Sequence, residues 1–309
     1  MPTTLSMSRD RAAGASITAR DAAALSDAMS WKDWLRNDVA VRAHMDGHDI
    51  ARRVVEGNGF VRVTGFLPKH VAEGCSAMLA AHTEWEAMNE GEVADQADSV
   101  YHNFQFAEPD EHPETLALLS NAVALIFDDL VPSFSYAKYG RGDCIAPHND
   151  KMHMQVAPLG SSVETLHSRK YAAVLYLSRG WKAKFGGALL DLQDCVEHVP
   201  SFNSMVVFAV PRMHAVAPVL VDSRPRFSLF GWWLAAGKLY ELDDTPTPGA
   251  DAEEVEYVDV EQIKRARMPM RTGAQGHVDG ASRPRARMNG GVKKNRKAKK
   301  ARDVVRGAR

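Results

Sequence analysis

The residues with the most capacity for chemistry are histidines set beside carboxylates. Three His-x-Asp triplets occur: His44-Met45-Asp46, His148-Asn149-Asp150 and His277-Val278-Asp279. With twelve histidines in 309 residues such triplets arise by chance, so spacing alone selects none. Context does. His44 and Asp46 lie in a helical pattern, where residues two apart point different ways. His277 is the last histidine and sits in a basic, Gly-rich tail with no later partner. His148 follows an apolar strand-like run, Ser133 to Tyr139, and further strand patterns come after it. On a strand, His148 and Asp150 would share a face. A second imidazole, His214, arriving from a later strand would put two nitrogens and one carboxylate on the same side of an ion. That set leaves positions open and suits Fe(II). Ligation needs neutral imidazoles, so the set predicts metal affinity that falls below about pH 6.5.

A second constellation lies downstream. Arg226 and Ser228 are two apart in an apolar strand pattern that ends in Phe230-Gly231-Trp232-Trp233, so they too would share a face. The planar guanidinium fork fits a carboxylate, the Ser hydroxyl adds a donor, and an Arg inside such a strand needs a buried partner. Tyr139, nine residues before His148, could donate its phenol to the same acid.

Helical signals come before Pro132 and strand signals after it. Thr18-Ala19-Arg20-Asp21 and Ser30-Trp31-Lys32-Asp33 read as helix caps, Gly57-Asn58-Gly59 stops a helical stretch, and Phe60 to Val63 alternates as a strand. Helices are expected from Pro68 and from Pro113. Strands are expected at Tyr171–Leu177, Ala188–Leu192, Ser204–Phe208, His214–Val221 and Arg226–Trp233, with a long loop between Asp150 and Arg169. Helices first and strands second imply an α+β domain whose helices buttress a two-sheet sandwich or barrel.

The net charge of −1 conceals an asymmetry. From Lys264 onward sixteen Lys/Arg face two acids, a net of +14, which leaves −15 on the rest. The expected organisation is a disordered segment 1–30, a folded domain 31–240 with its barrel at 132–234, an acidic linker 241–262 and a basic disordered tail 263–309. Cys75, Cys144 and Cys195 are few and scattered, which excludes a disulfide framework and fits a reducing, intracellular setting, cytoplasmic or nuclear. No run approaches the ~18 apolar residues of a membrane span.

The ordered series Tyr139-Gly140-x-Gly142-Asp143, His148-x-Asp150, Trp181, Gly186-Gly187-Ala188-Leu189, Pro200-x-Phe202-Asn203, His214-x-Val216-x-x-Val219 and Arg226-x-Ser228-x-x-Gly231-Trp232 resembles the Fe(II)/2-oxoglutarate-dependent oxygenases of the prolyl 4-hydroxylase type. It looks most like the branch that hydroxylates a proline of a ribosomal protein. The resemblance covers about residues 132–234 and implies a double-stranded β-helix of jelly-roll or cupin type. It implies Fe(II) on His148, Asp150 and His214, and the co-substrate 2-oxoglutarate on Arg226, Ser228 and Tyr139. Ascorbate would be an accessory reductant. The implied reaction is hydroxylation of an unactivated C–H, on a prolyl residue of a protein or peptide.

Two departures bear on the substrate. Lys151 to Ser168 is longer than the family pattern, and a basic tail stands where the ribosomal-protein branch carries a second, degenerate barrel. Other readings therefore remain beside the first. One is a hydroxylase of a free amino acid or other small molecule. Another is a nucleic-acid demethylase, for which Arg224 stands at the right remove from His214 but Phe230 replaces its second arginine. The last is a non-catalytic protein that meets RNA or a ribosome through Lys293 to Lys300. The oligomeric state leaves no mark in the sequence. Because the tail lacks apolar periodicity, truncation after Glu261 should leave the melting transition and 2-oxoglutarate decarboxylation intact; a thermal melt with a succinate assay checks both.

Overall fold

The structure, a computed structural model, describes residues 29–88, 102–112, 114–157 and 162–242. The expected cap at Thr18–Asp21, Pro113, the acidic stretch beyond Leu242 and the basic tail lie outside them, so the outer domain boundaries rest on sequence alone.

Ser30 opens helix α1 (Trp31–Arg36), its hydroxyl accepting from the Asp33 N–H at 3.2 Å. Asn37 does the same for α2 (Asp38–His48), accepting from the Ala40 N–H at 3.0 Å. Then come α3 (Ile50–Glu56), strand β1 (Phe60–Thr64) and α4 (Lys69–Ala81), which starts after Pro68 as expected. Three short strands follow, β2 (Glu86–Ala87), β3 (His102–Asn103) and β4 (Gln105–Ala107), and then α5 (Leu116–Ala124).

The barrel strands are β5 (Val131–Tyr139), β6 (Cys144–His148), β7 (His153–Val156), β8 (Thr165–Tyr176), β9 (Leu189–Asp191), β10 (Val196–His198), β11 (Ser204–Ala209), β12 (His214–Val216) and β13 (Arg226–Ala236). They form two antiparallel sheets. The large sheet runs β1-β11-β8-β13-β5-β4-β2, with β7 attached to β8, and the small one β10-β9-β12-β6-β3. Over the barrel strands the chain therefore passes from sheet to sheet at β5/β6, β6/β7, β8/β9, β10/β11, β11/β12 and β12/β13. That is the double-stranded β-helix, with helices on the outside of its large sheet. No helix among the described residues is long and apolar enough to cross a membrane.

Strand alternation separates two interiors. Ala173, Leu175, Met205, Val207, Leu229 and Trp233 face the helices and pack with Trp34, Leu79, Leu119 and Phe127. The alternate residues face the small sheet, and there the polar groups gather: Tyr139, Tyr176, Arg226 and Ser228 are all buried.

Three expectations change. The strand from His214 ends at Val216 rather than Val221, its pairing with β6 already shifting register, and Pro218 has no N–H to carry a ladder onward. The stretch between Asp150 and Arg169 is a hairpin, not a loop: β7 pairs β8 from His153↔Ser168 to Val156↔Thr165. Its Met, Gln and His residues carry little strand signal, and pairing supplies what the pattern lacks. The helix expected from Pro113 starts at Leu116.

Asn203 ties the outer helices to the barrel. Its side chain accepts from the Leu67 N–H at 2.8 Å and donates to the Leu67 carbonyl at 2.7 Å, with its own backbone at φ 58. Asn tolerates that left-handed conformation better than most residues. Asn203→Ala should cost about 2–4 kcal/mol, two buried backbone groups losing their partners; a denaturant titration against wild type measures it.

Candidate functional site

β12 pairs with β6 so that His214 lies directly across from His148. Their ring centroids are 4.1 Å apart. Each Nδ1 donates to a main-chain carbonyl, His148 to Ala146 at 2.8 Å and His214 to Arg212 at 2.7 Å. A carbonyl only accepts, so the proton sits on Nδ1 and both Nε2 lone pairs are left for a third party. They point at Asp150, with His148 Nε2 3.3 Å from Oδ1 and His214 Nε2 3.5 Å from Oδ2. One ligand atom from each of the three buried residues lies within 4.8 Å of the others.

Asp150 arrives by a route the sequence reading did not foresee. β6 ends at His148, and Asp150 is past the strand at φ 63, so a turned backbone rather than strand alternation aims its carboxylate. Arg169 Nη1 stands 3.7 Å from the same carboxylate, its guanidinium stacked 3.4 Å from the Trp232 ring centroid. Burial alone would push the Asp150 carboxyl up. His214, His148 and Arg169 outweigh that and hold it far below the usual carboxylate range. Burial, joined by the neighbouring His148, pushes His214 down to about 4, against opposing pulls from Asp150 and the Arg212 carbonyl. At neutral pH the site therefore presents a carboxylate to a neutral His214. The expected threshold of about 6.5 does not hold for this imidazole, because it stays unprotonated well below that pH.

The second constellation faces the same space from the large sheet. Arg226 pairs with Tyr139 and Ser228 with Tyr176 across neighbouring strands. Arg226 is 2% exposed, its guanidinium carbon 4.4 Å from the Tyr139 ring centroid and 5.1 Å from that of Tyr176. Its Nε and Nη1 have no hydrogen-bond partner, and among the described residues no carboxylate pairs with it. A buried, unpaired cation is costly, so the pocket is shaped for an anion. The Tyr176 hydroxyl is likewise buried and unpartnered. Burial pushes the Tyr139 phenol up to about 12 and the Tyr176 phenol in the same direction, both partly offset by Arg226, so both remain donors. Tyr176 was not singled out from the sequence, where an aromatic in an apolar strand reads as core.

The Gly186-Gly187 pair makes room for this arrangement. Gly186 (φ 71) accepts from the Trp181 indole at 2.9 Å, and a Cβ there would lie 2.1 Å from the Pro218 carbonyl oxygen. A Cβ on Gly187 would press on the Arg226 stem at 3.0 Å. Arg224, by contrast, lies at the surface and donates to the Arg179 carbonyl.

Residues 134–234 match the family described as the 2OG-Fe(II) oxygenase superfamily, and the chain carries a domain of that kind over this stretch. A prolyl 3-hydroxylase, OGFOD1 of Xenopus laevis, is 31% identical over an alignment of 127 residues that covers 37% of this chain. The match spans only 22% of that relative's own length. Solved structures similar to the chain include a prolyl-4-hydroxylase of Pseudomonas putida (24% identity, 64% of this chain, 100% of that one, TM-score 0.42). Another is a prolyl hydroxylase of Trichoplax adhaerens in complex with a hypoxia inducible factor peptide fragment (16% identity, 62% of this chain, 90% of that one, TM-score 0.45).

The lowered His214 makes a stability prediction for the metal-free protein. Its folded value, about 4, lies below the unfolded value of ~6.5. As pH falls the unfolded chain takes up the proton first, so the contribution is complete above ~6.5 and lost on the way down to about 4. Asp150, with a depressed value, contributes above its unfolded value of ~3.9 and loses that only at lower pH. Burial also lowers His44, His48 and His198, which add to the same slope. The readout is therefore a difference. Unfolding free energies from denaturant titrations of wild type should fall more steeply from pH 6.5 to 4 than those of His214→Leu, by on the order of 3 kcal/mol.

Proposed function

We propose that the chain is an Fe(II)- and 2-oxoglutarate-dependent hydroxylase acting on a prolyl residue of a protein or peptide. The observation that carries this reading is the pairing of two unfilled demands in one interior. Two imidazole Nε2 atoms and a carboxylate converge on one point, and the buried Arg226 guanidinium on the facing sheet has no anion among the described residues.

The residues fit both groups. His148 Nε2, His214 Nε2 and an Asp150 oxygen would hold Fe(II), with the Nδ1 bonds to Ala146 and Arg212 fixing the rings. Arg226 would take the far carboxylate of 2-oxoglutarate, with Ser228, Tyr139 and Tyr176 as hydroxyl donors. With both groups held there, the site would have the oxidising chemistry that hydroxylation of an unactivated C–H requires. What the chain contributes is position and dryness: all seven side chains are buried between the two sheets.

A peptide substrate is supported by a further pair of donors. Arg169 Nε and Trp232 Nε1 are buried without partners among the described residues, near the carboxylate that Arg169 contacts. Main-chain carbonyls of an extended peptide would satisfy them, as would other neutral acceptors. A relative that matches part of the chain is named a prolyl 3-hydroxylase, which agrees with this choice. Three scattered, buried, free cysteines agree with a reducing intracellular compartment.

Succinate release from 2-oxoglutarate, with Fe(II) and ascorbate present, should rise with proline-containing peptides. Stimulation by free amino acids or methylated oligonucleotides instead would replace the substrate assignment. Arg226→Ala removes one side of a desolvated ion pair worth roughly 2–5 kcal/mol, so the KM for 2-oxoglutarate should rise at least tenfold. Arg224→Ala should leave it unchanged; the reverse pattern would move the anchor by two residues.

A further inference from the structure

We infer that Arg212 is a positioning residue for the metal centre, tying the arm that carries His148 and Asp150 to the arm that carries His214. This rests on the iron reading above and adds a part to it.

Arg212 meets both arms through its main chain. Its N–H donates to the carbonyl of Asn149, the residue between His148 and Asp150, at 3.3 Å. Its carbonyl accepts the Nδ1–H of His214 at 2.7 Å, the bond that sets that ring's tautomer and direction. The side chain holds this main chain in place. Arg212 is 3% exposed and Asp191 2%. The guanidinium meets Asp191 through both edges of its fork, Nε to Oδ1 at 3.1 Å and Nη2 to Oδ2 at 2.5 Å. Nη2 also reaches Asp194, and Nη1 donates to the Asn58 carbonyl at 3.4 Å. Phe60 lies under the plane, 5.1 Å from its ring centroid. Asp191 in turn faces His214 across the β9·β12 pairing and accepts from the Gln193 and Asp194 N–H groups at 3.2 and 3.3 Å. The anchor thus stands on the strand beside the ligand it aligns.

Stability does not account for such a pair. Well-packed apolar side chains of similar volume hold a fold as well as a buried ion pair or better. What they lack is direction. A planar fork bonded along both edges, with its third nitrogen on Asn58, fixes where the Arg212 peptide points, and that peptide orients the ligand ring.

The test uses the full chain, freed of metal, and reads Co(II) affinity by calorimetry beside a thermal melt and the KM for 2-oxoglutarate at saturating metal. Arg212→Met combined with Asp191→Leu removes both charges and strands neither. Arg212→Lys keeps the charge but loses the fork. Each variant should melt cooperatively, bind Co(II) about 10–100-fold more weakly than wild type, and keep its KM for 2-oxoglutarate. A purely structural role predicts a lowered melt with unchanged metal affinity in the folded protein, and that result in either variant overturns the inference. Should the double variant fail to fold, Arg212→Lys decides on the same readings. Wild type that takes up no Co(II) removes the iron reading itself, and this inference with it, before any variant is compared.

Discussion

The pairing of β12 with β6 is the contact on which the candidate site depends. It sets His214 opposite His148, and strand geometry allows no partial error there. A slip of one residue would turn His214 to the far face of the small sheet, where Ala188, Leu190 and Ala215 form an apolar layer. The register has several keepers. Asp191 lies beside His214 on the next strand, Arg212 holds the approach to β12, and the Asp143 carbonyl takes the Val219 N–H beyond its end. A strand of three residues could not hold its place without them.

The interior between the sheets holds more unmet polarity than a core built for stability would accept. Arg226, Tyr176, Arg169 and Trp232 all keep buried nitrogen or oxygen atoms without partners. Each such group costs free energy in the empty protein. These four lie on the side of the large sheet that faces the small one. Its other side, against the helices, is an apolar layer of Trp34, Leu79, Leu119, Phe127, Leu175, Val207 and Trp233. The outer layer stabilises the sheet so that the inner one can stay poised for ligands.

Much of this was legible in the chain. His148, His214, Arg226 and Ser228 sit in strands whose alternation is visible, and alternation assigns faces without knowledge of partners. Tyr139 was picked out by its place nine residues before His148, and it lies across from Arg226. Asp150 was found for the wrong cause, since strand period gives its position but a left-handed turn gives its direction. Tyr176 was hidden because its importance comes from lying across from Ser228, and register between distant strands has no single-sequence signature. Arg169 did leave a signal: an arginine leading into an apolar strand demands a buried partner, the argument already applied to Arg226. The β7–β8 hairpin stayed hidden because its residues gain strand character from pairing rather than from type.

That hairpin has both its roots in the site. It leaves the chain just after Asp150 and returns it at Arg169, and these two residues face each other across 3.7 Å. Tyr240 closes the base, bonding the Met152 and Arg169 main chains while its ring stacks on His153. The hairpin is thus a lever whose fulcrum is an ion pair at the proposed iron ligand. A macromolecule gripping it would pull on a carboxylate and its counter-charge together, so docking at a distance and readiness at the centre need no separate relay.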